Sequence, residues 1–209
     1  MTSARKLTAE IICYEDFLSR EECRFVADEL QTAYWKPSKV IQTTGSRVGD
    51  EIVSPSRTSE TAYEQWFSKD LKEFVVCIAQ RLSQLTGVRP NHLETWQATK
   101  YSLGGKFDYH VDAGYWKGHH AGDRMRTILL YLDTPRKGGG THFRALDVHV
   151  AAKAGRLLIW QNLFENGACN YRLMHSGTPV LKGKKTTLVC WERQKMFDTT
   201  FSKTANRQV

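Results

Sequence analysis

Hydrophobic and polar positions follow two different periods along the chain, and the change comes near residue 90. Before that point, apolar residues recur at the three- and four-residue spacing of one helix face, which predicts two amphipathic helices. After it, short runs rich in β-branched and aromatic residues alternate with turn residues. The pattern therefore predicts a helical N-terminal part followed by a β-rich part.

The two predicted helices have recognisable ends. A short strand-like run precedes Ser19, which forms a capping box with Glu22 three residues later and opens the first helix. The second helix is predicted over residues 61–86, because Gly87 is a typical terminator. Between the helices, residues 36–60 are polar and rich in Ser, Thr, Gly and Pro, which predicts a mobile loop of the kind that covers sites.

The length and spacing of the β-prone runs indicate a sandwich or barrel. We expect an α+β, mainly β fold whose core is a double-stranded β-helix (a jelly roll, cupin-like), with the N-terminal helices packed on one sheet. We expect one domain over residues 1–209. Within it, the predicted parts are a helical layer at about 1–90, a jelly-roll core at about 91–194 and a loosely held tail at 195–209.

Composition narrows the class of protein. A chain of 209 residues with 41% hydrophobic residues suits one globular domain. Its cysteines are odd in number and widely separated, which disfavours a disulfide scaffold and a thiolate zinc site. They are Cys13, Cys23, Cys77, Cys169 and Cys190. No apolar run is long enough for a signal peptide or a membrane span, so we expect a cytoplasmic protein without a membrane partner.

The net positive charge of the chain is compatible with acidic partners. Thirty Lys and Arg against twenty-two Asp and Glu give a net charge of +8, which is compatible with nucleic acid. The excess is spread along the chain, and its densest cluster, at residues 181–185, also fits a solvated turn that carries Lys182 and Lys184. The charge alone therefore assigns no partner.

Candidate chemistry begins with His110 and Asp112. Residues two apart on a strand point to the same face, so this pair can present an imidazole and a carboxylate to one point. His175, on a later strand, can supply a third ligand. Two histidines and one carboxylate form the facial triad of non-haem Fe(II) oxygenases, and the same donors also fit Mn(II) or Co(II). Lys185, ten residues beyond His175, can bind a carboxylate held near the metal.

Several segments, in this order, resemble the prolyl 4-hydroxylase family of Fe(II)- and 2-oxoglutarate-dependent dioxygenases. They are RTSE (57–60), YSLGGKFDYHVDA (101–113), RMRTILLYLD (124–133), GGGTHF (138–143), GRLLIW (155–160) and HSGTPVLKGKKTTLVCW (175–191). The resemblance implies that His110, Asp112 and His175 hold Fe(II), and that Lys185 binds the far carboxylate of 2-oxoglutarate. It further implies dioxygen as a substrate, ascorbate as a cofactor, and release of succinate and CO2.

Other site residues also follow from the resemblance. Tyr101 and Thr127 match hydroxyl groups that assist the lysine, although both also suit core packing. Arg57 and Trp191 match residues that help to hold the peptide, and Arg57 equally suits a solvated loop. Aromatic faces suit proline rings, so a proline-containing peptide or protein is the expected partner.

The chain departs from the family pattern in three places. Gly140 stands where the family usually has glutamate, and Cys190 stands where it has a lysine before the terminal tryptophan. The segment 113–123 adds Tyr115 and Trp116 beside the predicted metal site, as a substrate rim or as an aromatic anchor. These departures weaken the inference that the target is peptidyl proline.

Three other functions stay open. One is hydroxylation of a free amino acid or a peptide natural product. A second is oxidative demethylation of nucleic acid, which is disfavoured because that group places arginine near the position of Lys185 and needs a contiguous basic face. A third is a binding module without catalysis, which is disfavoured because the triad and Lys185 are all present.

Overall fold

The computed structural model describes residues 2–42 and 50–197, and these contain two α-helices and sixteen β-strands. The helices are α1 (Arg20–Glu29) and α2 (Lys69–Thr86). The strands before α2 are β1 (Ser3–Lys6), β2 (Ile11–Glu15), β3 (Lys36–Pro37), β4 (Lys39–Ile41), β5 (Glu51–Val53) and β6 (Glu60–Tyr63). The strands after α2 are β7 (Gln97–Tyr101), β8 (Phe107–His110), β9 (Arg124–Tyr131), β10 (Lys137–Gly138), β11 (Thr141–Phe143), β12 (Val148–Val150), β13 (Leu157–Gln161), β14 (His175–Gly177), β15 (Val180–Lys182) and β16 (Lys185–Arg193).

Two antiparallel sheets enclose the centre of the molecule. The major sheet has eight strands in the order β1-β2-β13-β9-β16-β7-β6-β3, and the minor sheet has four in the order β12-β11-β14-β8. Strands distant in sequence are neighbours in both sheets, as in a jelly roll. β14 thereby brings His175 directly opposite His110 on β8.

The side chains of β16, a central strand of the major sheet, point alternately to the two faces of the sheet. On β16, Lys185 and Thr187 line a cavity between the sheets, whereas Leu188 and Cys190 lie in the core that faces the helices. This division follows from the two-residue period of a strand.

Both helices pack on the outer face of the major sheet, as expected. Leu71, Val75 and Ile78 of α2 are buried in the same core as Leu188. A fully buried side chain of this kind contributes about 1.5–3 kcal/mol relative to an exposed one. The predicted capping box of α1 is present, since Ser19 and Glu22 bond each other's backbone N–H groups. The helices therefore support the sheet from behind the cavity.

The predicted start of the second helix was wrong. α2 begins at Lys69 rather than near residue 61, and Glu60–Tyr63 form β6, which pairs with β7. Ser68 is the N-cap and accepts the N–H of Leu71. Pairing with a central strand prevails here over the local helical period, which is a weak preference.

The segment predicted as a loop at residues 36–60 contains regular structure. β3 pairs with β6, and β4 pairs with β5. The guanidinium of Arg57 donates to the carbonyl of Lys39 at 3.2 Å and ties the β4–β5 pair to the segment before β6. Residues 43–49 of the predicted loop lie outside the described residues.

The five cysteines, the C-terminal segment from residue 195 and the turn near Lys182 were each the subject of a prediction. All five thiols are free, and Cys13, Cys23 and Cys190 are buried.

The backbone of Phe197 bonds to Asn91, while residues 198–209 of the predicted tail lie outside the described part. Lys182 and Lys184 are exposed beside a turn, as predicted. Within the described residues, neither helix is both long and apolar enough to cross a membrane.

Candidate active site

Two adjoining cavities open between the sheets. The inner cavity has a volume of about 60 Å³ and is lined mainly by β7, β9, β16 and the ends of β8 and β14. The outer cleft has a volume of about 540 Å³ and is lined by the β4–β5 pair, by β8, by single residues of β6, β7, β9 and β16, and by loop residues. Arg57, Phe107, His110, Asp112 and Trp191 line both, so they mark the passage between the two.

The predicted triad assembles at this passage. One ligand atom from each of His110, Asp112 and His175 lies within 4.8 Å of the others. The Nε2 atoms of His110 and His175 are 3.6 and 3.7 Å from the two carboxylate oxygens of Asp112. This is the only group of three such side chains among the described residues. The arrangement suits the binding of one divalent metal ion through two nitrogens and one oxygen.

Backbone contacts set the orientation of both histidines. The Nδ1–H of His110 donates to the carbonyl of Asp108 at 2.8 Å, and that of His175 donates to the carbonyl of Leu173 at 2.9 Å. Because a carbonyl only accepts, each Nδ1 carries the proton and each Nε2 keeps its lone pair for a metal. Burial and the neighbouring His175 lower the pKa of His110 to about 3, which keeps that imidazole neutral.

A buried hydrogen-bond chain holds Asp112. Thr127 Oγ1 donates to Asp112 Oδ2 at 2.6 Å and accepts from the side-chain amide of Asn162 at 2.8 Å. Burial raises the pKa of Asp112, but the two histidines and the Thr127 hydrogen bond outweigh burial, and the net shift is downward. The Thr127 hydroxyl was expected to assist Lys185, and a contact with the co-substrate stays a prediction. The sequence analysis missed Asn162, because a polar residue at the end of a strand has no distinctive pattern.

Lys185 is a buried cation in the wall of the inner cavity. Its side chain is only 4% exposed, and no carboxylate among the described residues lies within ion-pair distance of its Nζ. Its Nζ is 4.7 Å from the ring centroid of Tyr101 and 5.7 Å from that of Tyr131. Burial lowers the pKa of Lys185, which shows the cost of holding this charge without an acidic partner.

The donor set fits the metal and co-substrate that the sequence predicts. Two imidazole nitrogens and a carboxylate converge at one end of the inner cavity, and the Lys185 ammonium lies in its wall. Gly177 leaves room beside the ammonium, since a Cβ added there would lie 3.5 Å from Nζ. A small dicarboxylate satisfies the otherwise unpaired charge of Lys185.

Aromatic rings support the metal ligands. Phe107 stacks on the His110 ring at 3.5 Å between centroids, and the guanidinium of Arg57 lies 4.6 Å from the Phe107 centroid. Trp160, which is buried, packs edge-on against His175 at 4.7 Å. Arg57 is therefore a partly buried residue of the site rather than a solvated loop residue.

An aromatic wall closes one side of the outer cleft. The Arg124 guanidinium lies 3.6 Å from the ring centroid of Trp191 and 5.0 Å from that of Trp116. Glu94 holds the same guanidinium through two hydrogen bonds of 2.7 and 2.8 Å. Sequence reasoning missed Glu94 and Arg124, since their pairing joins residues thirty positions apart.

Residues 113–123, which follow Asp112, lie partly at the outer cleft and partly against Phe197. Tyr115 and Trp116 line the outer cleft, and Tyr115 is 43% exposed. His119 and His120 instead stack on Phe197 and are absent from the cleft lining that the structure describes. Only the first part of the segment therefore reaches the cleft.

Two of the three departures from the family pattern, at Gly140 and Cys190, have structural explanations. A Cβ at Gly140 would lie 2.6 Å from the carbonyl oxygen of Val150, so this backbone has no room for a glutamate side chain. Cys190 faces the helix-packed core, and its thiol donates to the carbonyl of Glu94.

Comparison with known proteins defines the class. Residues 96–193 match the sequence model of the 2OG-Fe(II) oxygenase superfamily. Residues 96–193 thus form a domain of this superfamily. The matching residues contain the triad and Lys185.

Curated relatives confirm the resemblance to prolyl 4-hydroxylases. The chain is 30% identical over 186 residues to prolyl 4-hydroxylase subunit alpha-2 of Gallus gallus, a match that covers 87% of this chain and 33% of that protein. The chain therefore spans about a third of the length of the curated relatives that it matches.

Solved structures confirm the double-stranded β-helix fold. The viral collagen prolyl hydroxylase of Paramecium Bursaria Chlorella virus-1, in complex with 2OG, aligns with a TM-score of 0.64 at 19% identity, covering 88% of this chain and 96% of that one. A Trichoplax adhaerens prolyl hydroxylase, in complex with a hypoxia inducible factor peptide fragment, aligns with a TM-score of 0.66 at 15% identity. The alignment covers 90% of this chain and 84% of that one.

Proposed function

We propose that this protein hydroxylates an unactivated C–H bond with Fe(II), 2-oxoglutarate and dioxygen, and that its target is a prolyl residue of a peptide or protein. One observation carries the proposal. The convergent triad of His110, Asp112 and His175 shares a cavity with Lys185, a buried cation without an acidic partner among the described residues. A metal ion and an anionic co-substrate satisfy both features together.

Each residue has a distinct task in this proposal. The two histidines present Nε2 to Fe(II), and Asp112 supplies the anionic ligand. Lys185 binds the far carboxylate of 2-oxoglutarate, and Tyr101 lies against the ammonium and excludes water from it. Fe(II) with 2-oxoglutarate and dioxygen supplies the oxidising power for hydroxylation, with release of succinate and CO2. The chain contributes orientation of the ligands and a cavity largely closed to solvent.

Support for a peptide target comes from the outer cleft. Trp116, Trp191 and Tyr115 present aromatic surface beside the triad, and Arg57 lies at the entrance to the inner cavity. Proline rings and extended chains bind well to such surfaces. A cleft of about 540 Å³ exceeds what one free amino acid fills, which favours a peptide target over a free amino acid.

Two further elements of the proposal concern the setting of the reaction. Ascorbate keeps the iron reduced between turnovers in this proposal. A cytoplasmic location is supported by the five free thiols, three of which are buried.

The test is mass spectrometry of peptides incubated with the protein, Fe(II), ascorbate and 2-oxoglutarate. Proline-rich and proline-free peptides are compared, and we expect a gain of one oxygen atom on proline with matching succinate. His110→Ala and Asp112→Ala are expected to abolish both products, because each removes a metal ligand. Normal turnover in either variant would refute the triad assignment.

Two other outcomes redirect the proposal. Succinate formation without oxygen on any peptide would retain the oxygenase reaction and reject the peptide target. Absence of both products from the iron-loaded wild-type protein, with every peptide, would reject the hydroxylase function.

A further inference from the structure

Outside the inner cavity and the outer cleft, the ribbon formed by β10 and β15 carries a cluster of basic residues. Lys137 of β10 stands directly opposite Lys182 of β15 in this antiparallel pair. Gly183 packs beside Arg136, since a Cβ added at Gly183 would lie 3.4 Å from the backbone nitrogen of Arg136. Lys184 follows Gly183 in the chain. The ribbon therefore brings four cations together.

These four cations have no acidic partner. All of them are exposed, and none makes an ion pair among the residues that the structure describes. The segments that carry them, residues 134–141 and 177–187, contain no Asp or Glu. Like charges directly opposite each other on paired strands destabilise the pair. The pairing of Lys137 with Lys182 is therefore unfavourable until an anion lies against the two side chains.

Two leucines are exposed beside the cations. Leu103, on the turn after β7, is 73% exposed, and Leu181, on β15, is 55% exposed. The turn and the strand lie side by side, because the N–H of Gly104 donates to the carbonyl of Val180 at 2.8 Å. The two leucines therefore occupy neighbouring positions. Together the leucines and the cations form one basic leucine surface, which consists of Leu103, Arg136, Lys137, Leu181, Lys182 and Lys184.

We propose that the basic leucine surface docks a partner protein through an acidic segment that also carries apolar side chains. The carboxylates of such a segment neutralise the four cations and offset the repulsion between the paired lysines. Its apolar side chains cover the two leucines and remove them from water. The inference does not depend on the proposed function, because no residue of this surface lines the inner cavity or the outer cleft.

The leucines distinguish a polypeptide from other anionic partners. Nucleic acid is bound largely through its phosphates, and exposed leucines add nothing to such contacts. Proteins at a lipid interface are anchored by Trp and Tyr side chains, and the basic leucine surface contains neither. An acidic segment with apolar residues satisfies the charge and the leucines together, and the opposite charges also speed its association.

The experiment measures the binding of three labelled peptides by fluorescence anisotropy at physiological ionic strength. The first peptide contains glutamate and leucine, the second has serine in place of leucine, and the third has glutamine in place of glutamate. The wild-type protein is expected to bind the first about tenfold more tightly than either of the others, which corresponds to about 1.4 kcal/mol. Equal affinity for the first two peptides would overturn the proposal, because the leucines would then take no part.

A charge variant locates the binding. Lys137→Gln/Lys182→Gln is expected to weaken binding of the glutamate–leucine peptide about tenfold, which corresponds to about 1.4 kcal/mol. Lys6→Gln/Lys69→Gln is the matched control, because it removes the same charge from exposed positions on β1 and α2. The control is expected to bind like the wild-type protein. A loss of equal size in both variants would reduce the effect to net charge and reject this surface.

A leucine variant tests the apolar part. Leu103→Ala/Leu181→Ala is expected to weaken binding of the glutamate–leucine peptide about tenfold and to leave binding of the serine peptide unchanged. Leu85→Ala is the control, since this leucine is 43% exposed on α2. Both variants alter exposed side chains and leave the core intact. Unchanged binding in Leu103→Ala/Leu181→Ala would contradict the proposal.

Two further probes separate other partners from a polypeptide. Double-stranded DNA and phosphatidylserine vesicles are tested with the same charge variant. Binding of either probe that is lost in Lys137→Gln/Lys182→Gln, without binding of any peptide, would assign the surface to a phosphate-bearing partner and overturn the proposal. Succinate production is expected to stay unchanged in every variant, so failure of the docking surface leaves the proposed function intact.

Discussion

The inner cavity and the outer cleft are held by different kinds of interaction. In the inner cavity, the metal-binding side chains lie on or directly beside strands and make short hydrogen bonds, such as that from Thr127 to Asp112. In the outer cleft, Tyr115 and Trp116 lie on a loop, and contacts between cations and rings position the aromatic wall. The difference indicates that the sheets hold the metal-binding side chains in place, whereas Tyr115 and Trp116 of the outer cleft lie on a loop that can change without altering the sheets.

The largest expected effect concerns Lys185, which has the least support from neighbouring polar groups. In Lys185→Ala, we expect the KM for 2-oxoglutarate to rise about 30-fold or more, because truncating one partner of a buried charge pair costs about 2 kcal/mol or more. Metal affinity is expected to change little. Succinate production at varied 2-oxoglutarate concentration measures the first effect, and titration with Co(II) measures the second. An unchanged KM would place the co-substrate anchor elsewhere.

A smaller effect is expected from the Thr127 hydroxyl. Thr127→Val should weaken metal binding by about tenfold, the lower end of the usual cost of losing a hydrogen bond to a metal ligand. Thr187→Val is the matched control, since the Thr187 hydroxyl bonds Thr99 in the same cavity rather than a ligand. Metal titration of both variants makes the comparison. If Thr127→Val instead raises only the KM for 2-oxoglutarate, this hydroxyl contacts the co-substrate, as the family resemblance implies.

The smallest expected effect lies in the outer cleft. Trp116→Ala is expected to raise the KM for a peptide substrate about fivefold, because this ring is one part of a wall shared with Trp191. The KM for 2-oxoglutarate should stay constant, and Lys117→Ala should leave both values unchanged because its side chain is exposed. Steady-state kinetics on one peptide checks these expectations. An equal change in both KM values would show that the two regions are coupled.

The sequence predicted an element correctly where the spacing of its apolar residues and its capping residues indicate the same boundary. The capping box at Ser19 and the end of α2 at Gly87 were both predicted correctly. The start of α2 was not, since β6 exists only because β7 lies beside it. Pairing between distant strands is not visible in a local pattern, and the same reason hid the β4–β5 pair.

The candidate site also contains residues that a local pattern reveals and residues that only tertiary contacts place. His110 and Asp112 were recognised because their spacing is meaningful on a strand, and His175 was recognised as a third ligand on a later strand. Asn162 was missed, since its role depends on a hydroxyl that lies on a neighbouring strand. The pairing of Glu94 with Arg124 was missed for the same reason. Residues that contact a ligand directly follow spacing rules, whereas the residues that orient them are placed by tertiary structure.

The alternation along β16 has a consequence for how such a protein can evolve. Lys185, Thr187 and Trp191 face the cavities, while Leu188 and Cys190 face the helices. Mutations at the first set therefore alter the lining of the cavities, and mutations at the second set alter the packing of the helices on the sheet. A single-residue insertion in this strand would exchange the two sets and destroy both at once. We therefore expect length variation among descendants of this chain to accumulate in its loops, while β16 keeps its nine residues.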